Sequence, residues 1–145
     1  MKLKIEIEII NRITPENIET LKDNEIFVFG SNLAGRHGAG AAKLAVNKFG
    51  AAMGYGIGFH GNTYAIPTKD YNIKTMSLPV INTHVRDFII FAKNNSNYQF
   101  LVTKVGCGLA GIPVKDMAIL FKNAIFVENI SLPLEFWKEC GLITE

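Results

Sequence analysis

The sequence predicts a single α/β domain over residues 1–145, with a mixed, mostly parallel central sheet covered by helices on both faces. Apolar strand-like segments alternate along the chain with segments of helical periodicity, which is the pattern of such folds. The segment "EIFVF" (25–29) is continuously apolar, as in a strand buried on both faces. Hydrophobic residues make up 48% of the chain and charged residues 19%, which suits one domain with a sizeable core.

The strands are predicted from alternation or from short apolar runs between turn residues. In "KLKIEIEI" (2–9) every second residue is apolar, which predicts a first strand. The segment "TYAIP" (63–67) follows a glycine-rich stretch that predicts turns or bulges before the strand. The other predicted strands are "EIFVF" (25–29), "YQFLVTKV" (98–105) and "ISLP" (130–133).

The helices are predicted from their periodicity and from residues that begin or end a helix. Thr14 followed by Pro15 is typical of a helix N-terminus and predicts a short helix over "TPENIETLK" (14–22). Gly50 predicts the end of a helix over 39–50. Further helices are predicted over 78–95, 113–126 and 133–140.

Composition excludes several classes of protein. The formal net charge is +2, and the 15 Lys and Arg residues are spread along the chain, so no nucleic-acid or membrane surface is indicated. No segment approaches the about 20 apolar residues of a membrane span, and the alternating N-terminus does not resemble a signal peptide. Cys107 and Cys140 lie far apart, and no Cys or His spacing is typical of a metal site. We therefore expect reduced thiols, a cytoplasmic protein, and neither a metal nor a cofactor.

Two glycine-rich loops each follow a buried strand and lead into a helix. They are "FGSNLAGRHGAGAA" (29–42) and "VGCGLAGIP" (105–113). In open α/β sheets ligands bind beyond the carboxyl ends of the strands, and free N–H groups near a helix N-terminus favour phosphate. Two such loops would suit a diphosphate. Neither loop is a P-loop or a "GxGxxG" fingerprint, and glycines also occur for close packing, so packing remains the alternative.

The motifs "FVFGSN" (27–32) and "GAGAAKLAVNKFG" (38–50), followed by "VGCGLAGIP" (105–113), resemble the macrodomain pattern. The order of elements from Lys2 to about Phe121 is also similar, so the resemblance covers most of the chain. It is closest to small bacterial and phage macrodomain-like proteins of unassigned function. Macrodomain hydrolases that remove ADP-ribose from glutamate side chains come next. The resemblance implies a three-layer sandwich and an ADP-ribose-type ligand, free or attached to a target.

The resemblance also implies which residues bind the ligand. Ser31 and Asn32 would lie beside the distal ribose, and "INRIT" (10–14) would flank the adenine. Gly30 is also expected to bind the ligand. The residues that would pack against the ribose and wrap the diphosphate are Gly38, Ala39, Gly40, Ala41, Gly106, Cys107, Gly108, Leu109, Ala110 and Gly111.

Three positions are compared with the macrodomain pattern: two depart from it and the third is similar to it. Arg12 stands where macrodomains commonly have an aspartate that accepts a hydrogen bond from the base, which a cation cannot do. Ala110 stands where the glutamate-directed hydrolases have an acid. Lys69, in "IPTKD" (66–70), lies at a point comparable to that of their nucleophilic lysine and is the candidate catalytic residue. Its alternative is an exposed lysine paired with Asp70.

Other side chains in the two loops leave alternatives open. Arg36 and His37 would contact phosphate or ribose, or else form a solvated loop tip. Cys107 lies near a predicted helix N-terminus, which would lower its thiol pKa and permit a Cys–His hydrolase, but no histidine is brought to it by the sequence. His84 is expected in the core.

The sequence therefore supports three hypotheses about function. The first is a binding protein for ADP-ribose or a related nucleotide diphosphate. The second is a hydrolase that removes ADP-ribose with Lys69 or a bound water acting at the distal ribose. The third is a structural or interaction protein that has no ligand.

Overall fold

A five-stranded sheet forms the centre of the molecule. The computed structural model of the chain describes residues 2–143, and the strand order is β2-β3-β1-β4-β5. β1 pairs in parallel with β3 and β4, β5 is parallel to β4, and β2 is antiparallel to β3. The strands are β1 (Glu25–Asn32), β2 (Gly58–His60), β3 (Thr63–Lys69), β4 (Gln99–Val102) and β5 (Ile130–Ser131). The predicted mixed, mostly parallel sheet is confirmed.

Five α-helices accompany the sheet within residues 2–143. The helix predicted over 39–50 begins as α2, continues as a π-helical turn over Ala45–Phe49 and ends at Gly50, whose φ of 88° only glycine adopts readily. The helix predicted over 113–126 is interrupted at Phe121 and continues as a 3-10 helix. The helices are α1 (Lys2–Ile10), α2 (Gly40–Leu44), α3 (Leu78–Lys93), α4 (Val114–Leu120) and α5 (Leu134–Glu139).

The sheet separates two hydrophobic cores. Successive side chains of a strand point to opposite faces, so Val28 joins the larger core while its neighbours Phe27 and Phe29 join the smaller one. The larger core packs α3, α4 and α5 against the sheet, and the smaller packs the helical segment 40–49 through Ala45 and Phe49. Helices therefore cover both faces, and the predicted α/β three-layer sandwich is confirmed.

The strand predicted over 2–9 is wrong, because this segment forms α1. Ile9 is buried, whereas Ile7 and Ile10 are exposed. Among residues 2–143 no strand pairs with this segment, and the adjacent chain meets the β5 side of the sheet through a single bridge, Ile13 to Leu132. An alternating segment is stable as a strand only with a partner. Lys, Glu, Leu and Ile all tolerate a helix, so the segment takes that form instead.

The helix predicted over 14–22 is also wrong. The N–H of Thr14 donates to the carbonyl oxygen of Leu132 at 2.9 Å, so Thr14 belongs to the bridge with the sheet and does not cap a helix. Its hydroxyl is buried and has no hydrogen-bond partner in the part of the chain that is described. The segment that follows runs in an irregular path to β1. A non-local contact thus overrides a local capping signal.

The parallel strands place their carboxyl ends at one edge of the sheet. β1 ends at Asn32, β3 at Lys69 and β4 at Val102, and the two glycine-rich loops follow β1 and β4. The loop 70–77 follows β3 at the same edge. Three loops from neighbouring strands therefore converge where ligands bind in sheets of this type.

Candidate functional site

The three loops enclose a cavity of about 610 Å³ at the carboxyl edge of the sheet. We call it the glycine-loop cavity. Predicted residues on its wall are Gly30, Ser31, Asn32, Arg36, Gly38, Ala39, Gly40, Ala41, Lys69, Gly106, Gly108, Leu109 and Ala110. Residues that the sequence analysis missed are Ala42, Thr68, Ile73, Thr103 and Lys104. The two glycine-rich loops do come together, and Lys69 lies between them.

The charge of the glycine-loop cavity is entirely positive. Arg36, Lys69 and Lys104 line it, and its wall, as far as the described residues define it, carries no carboxylate and no imidazole. Three cations within one cleft attract an anion more strongly than scattered surface charges do. Arginine can also grip a phosphate with two parallel hydrogen bonds. The cavity is therefore suited to a multiply charged anion.

The loop backbone adds donors to this positive charge. None of the hydrogen bonds within residues 2–143 is donated by the N–H of Gly38, Ala39, Gly108, Leu109 or Ala110. All five residues line the glycine-loop cavity. Unpaired N–H groups around a concave surface are typical of anion sites.

Glycines of the two loops divide into two kinds. A Cβ at Gly30 would lie 3.1 Å from the backbone nitrogen of Gly106, so this glycine allows the two loops to approach. A Cβ at Gly38 or Gly108 would meet no atom within 4 Å, and neither residue has a left-handed φ. The fold therefore does not require glycine at these two positions. Both face the cavity, where a missing side chain leaves room for a ligand.

Ser31 and Asn32 shape the first loop with their side chains. The Asn32 amide donates to the carbonyl oxygen of Arg36, and its Oδ1 accepts the Arg36 N–H, both at 2.9 Å. The Ser31 hydroxyl donates to the carbonyl oxygen of Gly56. Both side chains are buried. Asn32 holds the backbone of Arg36 at the cavity, and Ser31 ties β1 to Gly56. Both residues also line the cavity, so their contact with a sugar stays a prediction.

His37, predicted to contact phosphate or ribose, lies outside the cavity wall. Its ring is 3% exposed and packs edge-on against Phe29. Nε2 lies 3.1 Å from the carbonyl oxygens of both Ala52 and Tyr55, so it carries the ring proton and donates to them. His37 fastens the loop 52–55 to the first glycine-rich loop. Here the structure replaces a predicted ligand contact with a packing role.

Cys107 and Gly111 also lie off the wall of the glycine-loop cavity. Burial raises the pKa of the Cys107 thiol, although Lys104 opposes the rise. The sequence predicts a helix N-terminus near Cys107 that would lower this pKa, but α4 begins only at Val114 and desolvation raises the pKa instead. The Gly111 N–H donates to the carbonyl oxygen of Gly108 at 3.0 Å and closes the second loop.

Lys69 ends β3 inside the cavity and is half-buried. Its expected partner, Asp70, uses its carboxylate otherwise: Oδ1 accepts the N–H groups of Asn72 at 2.8 Å and Lys74 at 3.0 Å. No ion pair joins Lys69 to a carboxylate among the described residues. Lys69 therefore lines the cavity without a carboxylate partner among the described residues.

Arg12 bonds to the backbone of a distant segment and does not line the glycine-loop cavity. Its guanidinium donates to the carbonyl oxygens of Ala124, Ile125, Val127 and Ile130 at 2.6–3.1 Å. It also lies 5.1 Å from the centre of the Trp137 ring. Partial burial lowers its pKa, and Glu128 and Glu8 oppose this. Arg12 thus closes the carbonyl end of the 3-10 helix.

A second cavity of about 950 Å³ adjoins the first. It is lined by the irregular segment 13–19, by Phe27 and Leu44, and by the start of α5. Ala41, Thr103 and Lys104 line both cavities. The two cavities are therefore neighbours across these residues. The glycine-loop cavity is positive, whereas the wall of the second is partly apolar and carries both signs of charge, from Glu16, Glu19, Glu135, Lys48 and Lys104.

Metal and membrane signals are absent from residues 2–143. No group of three or more His, Cys, Asp or Glu residues in this range could hold a metal ion. Within the same range, none of the helices has both the length and the apolar character needed to cross a membrane.

His84, expected in the core, is half-buried on α3.

Comparison with known proteins does not assign a family. The chain matches no protein-family model, and neither curated protein sequences nor solved structures give a significant match. The fold and the cleft define an α/β sandwich with a positively charged cavity at the carboxyl edge of its sheet. Function is therefore argued from the cleft.

Proposed function

We propose that this protein binds ADP-ribose or a related nucleotide diphosphate in the cleft between its two glycine-rich loops. The observation that carries the proposal is the composition of the glycine-loop cavity. It combines three cations, five unpaired N–H groups and no carboxylate among the described residues. A diphosphate is the common biological anion that uses such a set of donors.

The second cavity supports a nucleotide over a simple diphosphate. It shares Lys104 with the glycine-loop cavity and offers apolar walls from Ile18, Phe27 and Leu44. A planar base could pack there, as ligand sites are mostly apolar with a few polar groups. Glu16 and Glu19 supply carboxylates that can accept hydrogen bonds from an exocyclic amine, a role that Arg12 cannot fill.

The proposal is tested by calorimetric titration with ADP-ribose, with AMP and NAD as controls. We expect ADP-ribose to bind at micromolar concentration, about −8 kcal/mol. We expect weaker binding of AMP, which lacks the second phosphate. Heat of binding with none of the three would overturn the proposal and favour a structural or interaction role.

A hydrolase is the second candidate, because Lys69 lies in the glycine-loop cavity. Its amine would attack the anomeric carbon of the distal ribose and expel the attached group, and water would then release the ADP-ribose. No carboxylate or imidazole of the described residues lines this cavity, so no side chain there is suited to activate water as a general base. Turnover would therefore depend on Lys69.

Substitution of Lys69 separates a hydrolase from a binding protein. A hydrolase predicts that Lys69→Ala abolishes release of ADP-ribose from a modified target, with affinity retained within a few-fold. Lys69→Arg keeps the charge but not the nucleophile, and should also be inactive. Cys107→Ser should leave both turnover and binding unchanged. A binding protein predicts no product from the unmodified chain.

A further inference from the structure

Ile73 has an unusual backbone conformation at the wall of the glycine-loop cavity. Its φ is 62°, the one positive value among the non-glycine residues of the described chain. The left-handed region brings the Cβ of an L-residue close to the following carbonyl oxygen, and β-branched side chains are disfavoured there most of all. Isoleucine is therefore strained at this position.

The loop around Ile73 does not itself require isoleucine. The Asp70 carboxylate holds the turn by accepting the N–H groups of Asn72 and Lys74, and the N–H of Ile73 donates to the carbonyl oxygen of Asp70 at 3.1 Å. These bonds use the Asp70 side chain and the backbone. Glycine or asparagine at position 73 would keep all of them and would tolerate the left-handed φ.

The position of Ile73 would allow its side chain to contact a bound ligand. It lines the glycine-loop cavity between Lys69 and the second loop, and the Thr75 hydroxyl ties its loop to the carbonyl oxygen of Ala110 at 2.9 Å. Leu109, which is 75% exposed, lines the same cavity. Two large apolar side chains therefore stand in a cavity whose charged groups suit phosphate. A phosphate gains nothing from them, whereas the C–H face of a sugar does.

We propose that Ile73 is a specificity-determining residue that contacts the sugar carried beyond the diphosphate, so that the site prefers ADP-ribose to ADP. This inference rests on the proposed function and names the part of the ligand that the strained residue recognises. Backbone strain persists at functional sites where the surrounding structure holds it, as Asp70 does here.

The test compares ADP-ribose and ADP as ligands of the unmodified protein and of Ile73→Asn. Asparagine is close in size, polar and tolerant of a left-handed φ. We expect Ile73→Asn to weaken ADP-ribose binding about 10-fold, as loss of roughly two buried methylene contacts would, and to change ADP binding by less than about twofold. We also expect its Tm to rise by about 3 °C, because the strain is relieved.

Two further variants complete the experiment. Ile73→Val keeps a branched apolar side chain and should retain most of the preference for ADP-ribose. Ile90→Asn makes the same chemical change at an exposed position on α3, and should leave both affinities unchanged.

The outcomes distinguish the two proposals. If the unmodified protein binds both ligands and Ile73→Asn binds each with unchanged affinity, or weakens both equally, the role of Ile73 is overturned and the proposed function stands. If the unmodified protein binds neither ligand, both proposals fail.

Discussion

Lys104 and Glu135 form an ion pair, with Nζ and Oε2 3.5 Å apart, at the junction of the two cavities. Lys104 lines both cavities, whereas Glu135 lines the second. Their side chains are 48% and 39% exposed, so solvent screens the pair and it contributes little to stability. A phosphate in the glycine-loop cavity would compete with Glu135 for Lys104. In the proposed complex, this competition would rearrange charge at the pair.

Glu135→Gln should strengthen binding of ADP-ribose. Removing the carboxylate frees Lys104 and removes a negative charge from the cleft. At low ionic strength we expect the affinity to rise about two- to fivefold. In about 0.5 M salt we expect a smaller gain, because the salt screens the charges. Glu139→Gln, on the same helix but away from the cleft lining, is the control. A weaker affinity in Glu135→Gln would show instead that Glu135 is needed to orient Lys104.

Gly38 should be replaceable for folding but not for binding. A Cβ there meets no protein atom within 4 Å, so Gly38→Glu should fold with little change in Tm and yet abolish ADP-ribose binding by filling the cavity with a negative charge. Gly38→Ala serves as the milder variant. Thermal unfolding and calorimetry measure the two effects separately. Full affinity in Gly38→Glu would mean that this loop does not contact the ligand.

Gly56→Ala should show the opposite behaviour. Its Cβ would overlap the carbonyl oxygen of Asn32, so the backbone must shift. We expect a loss of about 1–3 kcal/mol in the free energy of unfolding, as for other overpacked sites. Denaturant titration measures it. A variant as stable as the unmodified protein would contradict the close approach of the loop 52–57 to β1.

Arg12→Ala should lower the stability of the protein without affecting the site. It would remove four hydrogen bonds to carbonyl oxygens and the contact with Trp137, which we expect to cost about 3 kcal/mol. The carbonyl oxygens of Ala124 and Val127 would keep their backbone donors. Arg12→Lys should recover part of this, since one ammonium cannot reproduce the planar fork. Denaturant titration gives the stability. At a temperature where the variant is folded, a large loss of ADP-ribose affinity would contradict the structural role of Arg12.

Tyr64 should make the protein sensitive to alkali. Burial, with a smaller contribution from Asp87, raises the pKa of Tyr64 from 10.0 to about 12. Below pH 10 the phenol is protonated in both states, and its contribution is complete. As pH rises from about 10 to 12 the unfolded chain loses the proton that the folded chain keeps, so about 2–3 kcal/mol of stability is lost.

Tyr64→Phe should remove that loss. The free energy of unfolding would be measured from about pH 9 to about pH 11.5. The proteins compared are the unmodified chain, Tyr64→Phe and Tyr71→Phe. Tyr71 is 70% exposed and serves as the matched control. Identical pH dependence in all three proteins would contradict the burial of the Tyr64 phenol.

Local signals predicted the elements on which the site is built. The continuous apolar run of β1, the helical spacing of α3 and the glycine at the end of the segment 40–50 each depend on residues close together in sequence. Parallel strands then place their following loops at one edge, so the meeting of the two glycine-rich loops could also be inferred. Arg36 was found in this way, whereas Lys69 was predicted from the resemblance to macrodomain hydrolases.

Non-local contacts decided what the pattern of the sequence could not. The strand-like N-terminal segment became α1 for lack of a partner strand, and Thr14 bonds to Leu132 instead of capping a helix. His37 bonds across to the loop 52–55, and Arg12 to carbonyl groups more than 110 positions away. No local pattern predicts such partners.

The sequence by itself determined the α/β class, the central strand and the two glycine-rich loops, because periodicity and turn residues act over a few positions. The tertiary structure decided which side chains reach the cleft. Lys104 and Ile73 enter it and His37 and Cys107 turn away, because orientation depends on burial, hydrogen-bond partners and backbone conformation imposed by distant parts of the chain.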